Sequence, residues 1–594
     1  SQPRDTSVFD EKIDRVDDIR SRIHSYRSII EGFDRRSDLG APPSDGISPM
    51  WNFGNITNYT IPAGTEEVWS GNITVFNDTI ILVEGNLTIN SSIIYMNVSK
   101  YTYGGIVVAN GGRLVVKNSI ITTYPGSLEY FFYIEANATV QMEDSSIFYC
   151  GWNSSYPGIE IGLNYTTIVV PATVSIRNVT FASCYEGLYI SAPSNVDIKD
   201  STFDDIESYA IDAFDFGTLT INNTYFGVSE GISLILGSTL DVGYSTFVNN
   251  TGIFAMSITS VSVSVCSFHN SGIYLYEVPT ATINNNTVIS SLGAGIYLYN
   301  CTNGNINNNV LNDSYMLIEG ELLSHFVTHT LSNNYVNGKP LYAISSESNP
   351  SIPTDGGEYI IMNCTNVTLS DMTFANITLV EIAYSNITVY NTTFEDCIYG
   401  LYLLHVYQYS HINKAQFIGT EIGLYAYNTT ISINDTTFKD NSGFGAFIYL
   451  FSSVLFNNSQ FIGCEYGIYS YSSVEVCNST FMGSSGTGIY IYLLVVGATA
   501  KIYYNEFNGT DVGVYVYLTI GNVNISTNVF LDNIDGGVVL DGSQDIIVEY
   551  NIFNSSYLLL EGDSLASFKH LSLIHISEPT RPRLISYAVF CLQK

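Results

Sequence analysis

One short phrase returns along most of the chain: Asn178-Val-Thr-Phe181, Asp200-Ser-Thr-Phe203, Asn223-Thr-Tyr-Phe226 and Tyr244-Ser-Thr-Phe247, then Asn285-Asn-Thr-Val288 and Asn307-Asn-Asn-Val310. It resumes as Asp371-Met-Thr-Phe374, Asn391-Thr-Thr-Phe394, Asp435-Thr-Thr-Phe438, Asn478-Ser-Thr-Phe481, Thr527-Asn-Val-Phe530 and Tyr550-Asn-Ile-Phe553. The closing Phe or Val recurs about every 20–23 residues, the period of a solenoid. A second phrase follows the first at a short interval, as in Gly187-Leu-Tyr, Gly272-Ile-Tyr, Gly400-Leu-Tyr and Gly488-Ile-Tyr.

Both phrases alternate apolar and polar residues with period two, which reads as strand. Strands this short, at constant spacing and with no helical stretch between them, predict an all-β parallel β-helix. Each turn would lie about 4.8 Å from the last and pair its backbone with both neighbours. The aliphatic residues and the closing Phe point inward. The Asn or Asp two or three places before that Phe marks a bend, because those side chains tolerate left-handed backbone and bond locally. Stacked over many turns, these residues predict a ladder of amides.

Acidic residues number 55 against 21 basic ones. Eight of the basic residues (Arg4, Lys12, Arg15, Arg20, Arg22, Arg27, Arg35 and Arg36) lie in the first 36, so the body is intensely acidic. Such a surface repels nucleic acid and anionic lipid and favours cations or basic partners. No stretch has the roughly 18 apolar residues that span a membrane, so no anchor is visible. Residues 1–38 predict an amphipathic helix, from Phe9, Ile13, Val16, Ile19, Ile23, Tyr26, Ile30 and Phe33 at three- and four-residue steps. That helix would cap the first turn or act as an oligomerisation segment.

The expected divisions are a linker at 39–50, irregular first turns at 51–170, a regular coil at 171–310, an interruption at 311–370 and a second coil at 371–570. Asn337-Gly-Lys-Pro within the interruption reads as a tight turn leaving the spiral. The chain then repeats itself, since Asn554-Ser-Ser-Tyr-Leu-Leu-Leu-Glu-Gly562 mirrors Asn312-Asp-Ser-Tyr-Met-Leu-Ile-Glu-Gly320. From Leu571 the sequence resembles a conceptual translation of sequencing-library adapter, so residues 571–594 are expected to be a non-native tail.

About thirty Asn-x-Ser/Thr triplets are present, among them Asn55, Asn72, Asn86, Asn137, Asn164, Asn249, Asn376, Asn428, Asn508 and Asn554. They read as glycosylation acceptors or, where they fall within the phrase, as the repeat's own turn grammar. The cysteines are scattered singly without metal-ligand spacing. Cys150 and Cys184 fall at equivalent places in adjacent turns, where a disulfide or a pair of small apolar wall residues would fit. His325 and His329 share the interruption, as metal co-ligands or as ordinary surface or core histidines. No metal or cofactor is expected.

Catalysis on polysaccharide by such a coil needs clustered carboxylates. Asp204-Asp205 is the sequence-adjacent candidate pair, with Asp212 and Asp215 nearby; the bland reading is a solvated rung edge. If Ile and Leu of Gly-Ile-Tyr-Leu-Tyr point inward, the tyrosines point out. Tyr274, Tyr297, Tyr402, Tyr425, Tyr469, Tyr490 and Tyr515 then form one column, and Tyr276, Tyr299, Tyr427, Tyr471, Tyr492 and Tyr517 a second. Such a strip suits sugar stacking or subunit packing, or serves only to stack rung on rung.

These repeats resemble the right-handed parallel β-helix repeat family, which includes carbohydrate-binding and sugar-hydrolase domains and periplasmic copper-loading proteins. Tyr335-Val-Asn-Gly-Lys-Pro-Leu-Tyr342 and Ile361-Met-Asn-Cys-Thr-Asn-Val-Thr368 look like archaeal surface members. The resemblance implies an exported, glycosylated protein with glycans or other surface proteins as partners. The leading expectation is a non-enzymatic extracellular or cell-surface rod serving an envelope, sheath or adhesin. The alternatives are a glycan-binding module using the tyrosine strip and a polysaccharide lyase or hydrolase.

Overall fold

A strand with alternating side chains can bury one row only if something closes behind it, and a coil closes on itself. In the computed structural model the chain does this repeatedly, each short strand pairing in parallel with the strands one turn before and after it. The structure describes residues 58–576 except 77, 100–103, 155, 164–169, 292, 408–409, 493–496, 520–521, 544–545 and 562–567. The expected N-terminal helix, the linker, Asn55, Asn164 and the last eighteen residues of the expected tail lie outside these. One helix occurs among the described residues, the single turn Ser324–Val327.

The chain divides into two compact units, 1–305 with 311–316, and 306–310 with 317–594. Inside the first unit the closing residues of the phrase register one on another: Phe181 on Phe203, Phe203 on Phe226, Phe226 on Phe247, Phe247 on Phe268. Their rings lie 4.6–5.3 Å apart and within 9° of parallel, all fully buried. The second unit repeats the device from Phe374 through Phe394, Phe417, Phe438, Phe461, Phe481, Phe507 and Phe530 to Phe553. Stacked aromatic rows of this kind add to the burial of apolar area that drives folding.

The expected bend is present once per turn. Asn178, Asp200, Asn223, Tyr244, Val265 and Asn285 all sit at φ between 48° and 58°, the left-handed region. Outside the core their side chains form the expected ladder, Asn178 Nδ2 donating to Asp144 Oδ1 at 2.7 Å and Asn223 Nδ2 to Asp200 Oδ1 at 2.7 Å. A second ladder runs inside, which the sequence pattern did not announce. The Thr224 N–H donates to Ser245 Oγ, Ser245 N–H to Cys266 Sγ, and Cys266 N–H to Asn286 Oδ1. The second unit continues in kind, from Ser479 to Asn505, Asn528 and Asn551. At these buried bends the backbone donor goes to a short acceptor on the following turn, as burial requires.

The interruption contains the expected tight turn. Tyr335–Val336 pairs antiparallel with Lys339–Ser345, and Asn337 and Gly338 carry φ of 50° and 75°. Two successive positive φ values are what the Asn-Gly pair supplies. The strand Phe568–Ile576 pairs in parallel with Ile546–Asn554 through several register shifts.

Candidate active site: an acidic, aromatic-walled face of the first unit

Ile159–Leu163, Leu188–Ile190 and Ile211–Asn222 lie on consecutive turns of one sheet. Alternation puts Ile159, Ile161, Leu188, Ile190 and Ile211 in the core, all at 0% exposure. The residues between them must face outward. Register then builds a column of Tyr133, Glu160, Tyr189, Asp212 and Ser233. Glu186 stands beside it, immediately before Gly187. A Cβ at Gly158 would lie 1.7 Å from the Glu186 carbonyl oxygen, so glycine there lets the Glu186 backbone pass close to the previous turn.

Outward residues of a coil are ordinarily wet, yet Glu160 is 9% exposed and Glu186 6%. Trp152 and Tyr156, stacked at 4.5 Å, pack with Leu82 against Ile80, Val107, Phe131 and Tyr133 to form one wall. Tyr185, Tyr189 and Tyr209 are half-buried nearby. Ser191 Oγ lies 3.5 Å from Glu160 Oε1, and Glu186 Oε2 is buried with no hydrogen-bond partner.

Burial raises all three acids. It pushes Glu160 up to about 7. Glu186 is pushed up to about 8 by burial and then by the charges of Asp212, Glu230 and Glu160, which lie within electrostatic reach of it. Asp212 rises only to about 6, because bonds from Ser233 and the Ala213 backbone favour its ionised form. One group protonated and a neighbour ionised near neutrality is the arrangement acid–base chemistry needs.

The sequence-adjacent pair is placed otherwise. Asp204 Oδ1 accepts from the Val228 N–H at 3.0 Å, while Asp205, at φ 54°, accepts from Ser183 Oγ at 2.7 Å. Both tie one turn to a neighbour. The signal for the carboxyls of the column was an acid set between two inward aliphatics, Ile159-Glu160-Ile161 and Ile211-Asp212-Ala213, once the period aligns them.

The tyrosine column of the second unit stacks rung on rung, with Phe447 in the series. Tyr402, Tyr425, Phe447, Tyr469, Tyr490 and Tyr515 register in series. Their rings are 4.2–5.6 Å apart and within 11° of parallel. Neighbouring rings therefore occupy each other's faces, leaving edges and hydroxyls outward, and Tyr402 and Tyr425 are buried outright. Tyr427, Tyr471, Tyr492 and Tyr517 lie beside it with Tyr449 between, half-buried and mostly tilted or edge-on. In the first unit Tyr274 and Tyr297 register on each other, half-buried, and Tyr276 is buried while Tyr299 is half-buried.

Cys150 and Cys184 do reach adjacent turns, but as buried free thiols. Cys184 Sγ takes the Cys150 N–H at 3.4 Å, the part Ser and Asn play elsewhere in the inner ladder, and burial pushes its thiol up to about 12. His329 Nε2 lies 2.7 Å from the His325 carbonyl oxygen, a local backbone bond. Among the described residues no group of three or more His, Cys, Asp or Glu is arranged to hold a metal ion. Of the glycosylation candidates, Asn72, Asn86, Asn137, Asn249, Asn376 and Asn554 are exposed and Asn428 and Asn508 half-buried. No described helix is long and apolar enough to cross a membrane.

The family described as "Right handed beta helix region" matches residues 79–251, 220–358 and 355–481, together more than half of the sequence. The chain belongs to that family. No curated protein matches the sequence. Among solved structures, a periplasmic alginate epimerase is similar at 11% identity over 81% of this chain and 76% of its own, with a TM-score of 0.22. A PL6 family alginate lyase is similar at 12% identity over 88% and 96%, TM-score 0.22. The catalytic domain of a GH87 alpha-1,3-glucanase is similar at 12% identity over 76% and 71%, TM-score 0.18. Values this low leave the activity of this right-handed β-helix protein to be read from its own residues.

Proposed function

We propose that the chain is an extracellular polysaccharide hydrolase acting at the acidic face of its first unit. Glu186 is the proton donor to the leaving oxygen and Asp212 the base that takes a proton from water. Glu160 shares their field. The observation that carries this reading is Glu186, a carboxyl turned to the outer face yet buried, with one oxygen unpartnered and three other carboxyls around it. A retained proton on one acid and an ionised neighbour is what glycosidic cleavage by two carboxyls requires. A net charge of −34 disfavours a polyanionic substrate, so a neutral glycan is the class of choice.

The test is release of reducing ends from a panel of neutral and uronic-acid polysaccharides. Glu186→Gln and Asp212→Asn should each lower kcat by at least about a hundredfold, while Asp204→Asn with Asp205→Asn leaves it unchanged. Activity surviving both single replacements at the cluster would end this reading. The alternative of a non-enzymatic glycosylated surface rod is favoured by the exposed sequon asparagines and by the continuous ring stacking. It predicts glycan on those asparagines and no release from any polysaccharide.

A further inference from the structure

We propose that residues 317–329 form a strap over one outer face of the second unit, closed near neutral pH and released as the medium turns alkaline. Tyr359, Ile361, Val380, Ile382, Leu401 and Leu403 point into the core of this unit. The alternate residues of the same strands, Glu358, Ile360, Glu381 and Tyr402, must therefore face outward, yet they are 0–3% exposed. The strap bonds directly to two of them, Glu381 and Tyr402.

Its attachments are polar and specific. The Ile318 N–H donates to Glu381 Oε2 at 3.2 Å, and the Tyr402 hydroxyl donates to Glu319 Oε1. Tyr384 donates to the Glu321 carbonyl at 2.6 Å. Asn428 Nδ2 lies 2.7 Å from His405 Nδ1, which fixes the proton on Nε2, and that nitrogen donates to the Gly320 carbonyl at 2.8 Å. Phe326 is buried with its ring 5.3 Å from that of Tyr384. A Cβ at Gly320 would lie 2.5 Å from His325 Cβ, so the turn into the single-turn helix needs glycine.

Three carboxyls gather here, Glu319 of the strap and Glu358 and Glu381 of the sheet. Thr378 Oγ1 donates to Glu358 Oε2 at 2.7 Å, and Glu381 Oε1 is buried without a partner. Burial holds Glu381 well above the usual carboxylate range, and the charges acting on it, Glu358 and Glu319, are both of its own sign. Glu381 thus keeps its proton while the strap is closed and loses it once water enters. A group held above its open-state value, about 4.3 for a solvated Glu, favours the closed form fully below that value and progressively less as pH rises.

His405 works the other way. Burial pulls it below its ordinary value, so its contribution is lost as pH falls through that lowered value. His329, also pulled down by burial, behaves alike. His325 and Glu321 on the strap, and Tyr384, Tyr402, Tyr407 and Tyr427 on the sheet, complete the titratable groups around it. Above about pH 6.5 His405 is neutral whether the strap is open or closed, and Glu381 is the acid whose proton depends on closure.

The experiment is hydrogen exchange of the full chain between pH 7 and 9, corrected for intrinsic exchange and followed by peptides covering 317–329. Protection of the strap should fall as pH rises, with Ser453–Asn457 in the core unchanged. In Glu381→Gln the strap should keep its protection across that range. Equal pH dependence in both proteins, or loss of core protection in step with the strap, would overturn the proposal. Should Glu381→Gln fail to fold, Glu358→Gln removes the foremost like charge and should shift release to higher pH; no shift would also overturn it.

Discussion

Glu160 and Asp212 occupy the same outward column two turns apart, with Tyr189 between them. Strands on successive turns lie about 4.8 Å apart, so the two backbones are about 9–10 Å apart. Glu186 enters from the side, on the intervening turn. Because Asp212 titrates at about 6 and Glu186 at about 8, hydrolysis should be greatest between those values. It should fail in acid as Asp212 takes up its proton and in alkali as Glu186 gives its own away. A kcat/KM profile without two limbs would contradict the assigned roles.

The same burial makes stability depend on pH. Glu186 in the folded protein sits near 8, against about 4.3 for a solvated Glu, so its contribution falls as pH rises between those values. Glu186→Gln lacks that loss. The variant should gain Tm relative to the native chain more at pH 8 than at pH 5, and an equal gain at both would exclude titration of Glu186 as the cause.

Val265 and Tyr244 hold bend positions that Asn or Asp fills on neighbouring turns, at φ 58° and 53°. A β-branched residue pays for left-handed backbone with a clash, about 1–2 kcal/mol. Val265 is exposed and its side chain has little to lose. Val265→Asn should therefore stabilise the chain by about 1 kcal/mol in denaturant unfolding, and a destabilised variant would show that the bend is not strained.

Phe461 lies 4.7 Å from Phe438 on one side and 4.7 Å from Phe481 on the other. Phe461→Ala should cost about 3–5 kcal/mol. In a coil held by neighbour contacts that damage should stay local. Exchange protection should drop on the turns carrying Phe438 and Phe481 and persist around Phe553; uniform loss would mean the whole chain unfolds as one.

Sequon occupancy, if the chain is glycosylated, should sort by amide engagement. Asn391 Nδ2 donates to Asp371 Oδ1 at 2.6 Å and Asn478 Nδ2 to Asn457 Oδ1 at 2.9 Å, so a sugar there would break the outer ladder. Asn72, Asn86 and Asn376 are exposed. Peptide mapping should find glycan on the latter group and bare amides at Asn391 and Asn478; the reverse pattern would contradict the ladder.

The coil was legible because its period is written in large residues: Phe181 to Phe553 alone fix the turns, and the Asn-Gly at 337–338 announces the hairpin. The site was legible only in part. Asp204 and Asp205 drew notice by adjacency, yet neighbouring strand residues face different ways and each found a backbone or hydroxyl partner. Glu160 and Asp212, 52 positions apart, meet only when two turns of register are counted. Glu186 meets them through a glycine-permitted close approach. The tyrosines were correctly placed in columns, but face-to-face stacking is a contact between rungs, and no alternation within one strand reveals it.

The inner ladder has a direction. At bend after bend, from Ser92 on Ser119 to Asn528 on Asn551, the N–H of one turn is received by a short acceptor of the next. The acceptor can be Ser, Cys or Asn, since only reach and a lone pair matter. Where the following turn carries such an acceptor, a turn can be excised or duplicated whole and its donor still meets an equivalent group. Length is a free variable in such a protein, while the cross-section of a turn is not.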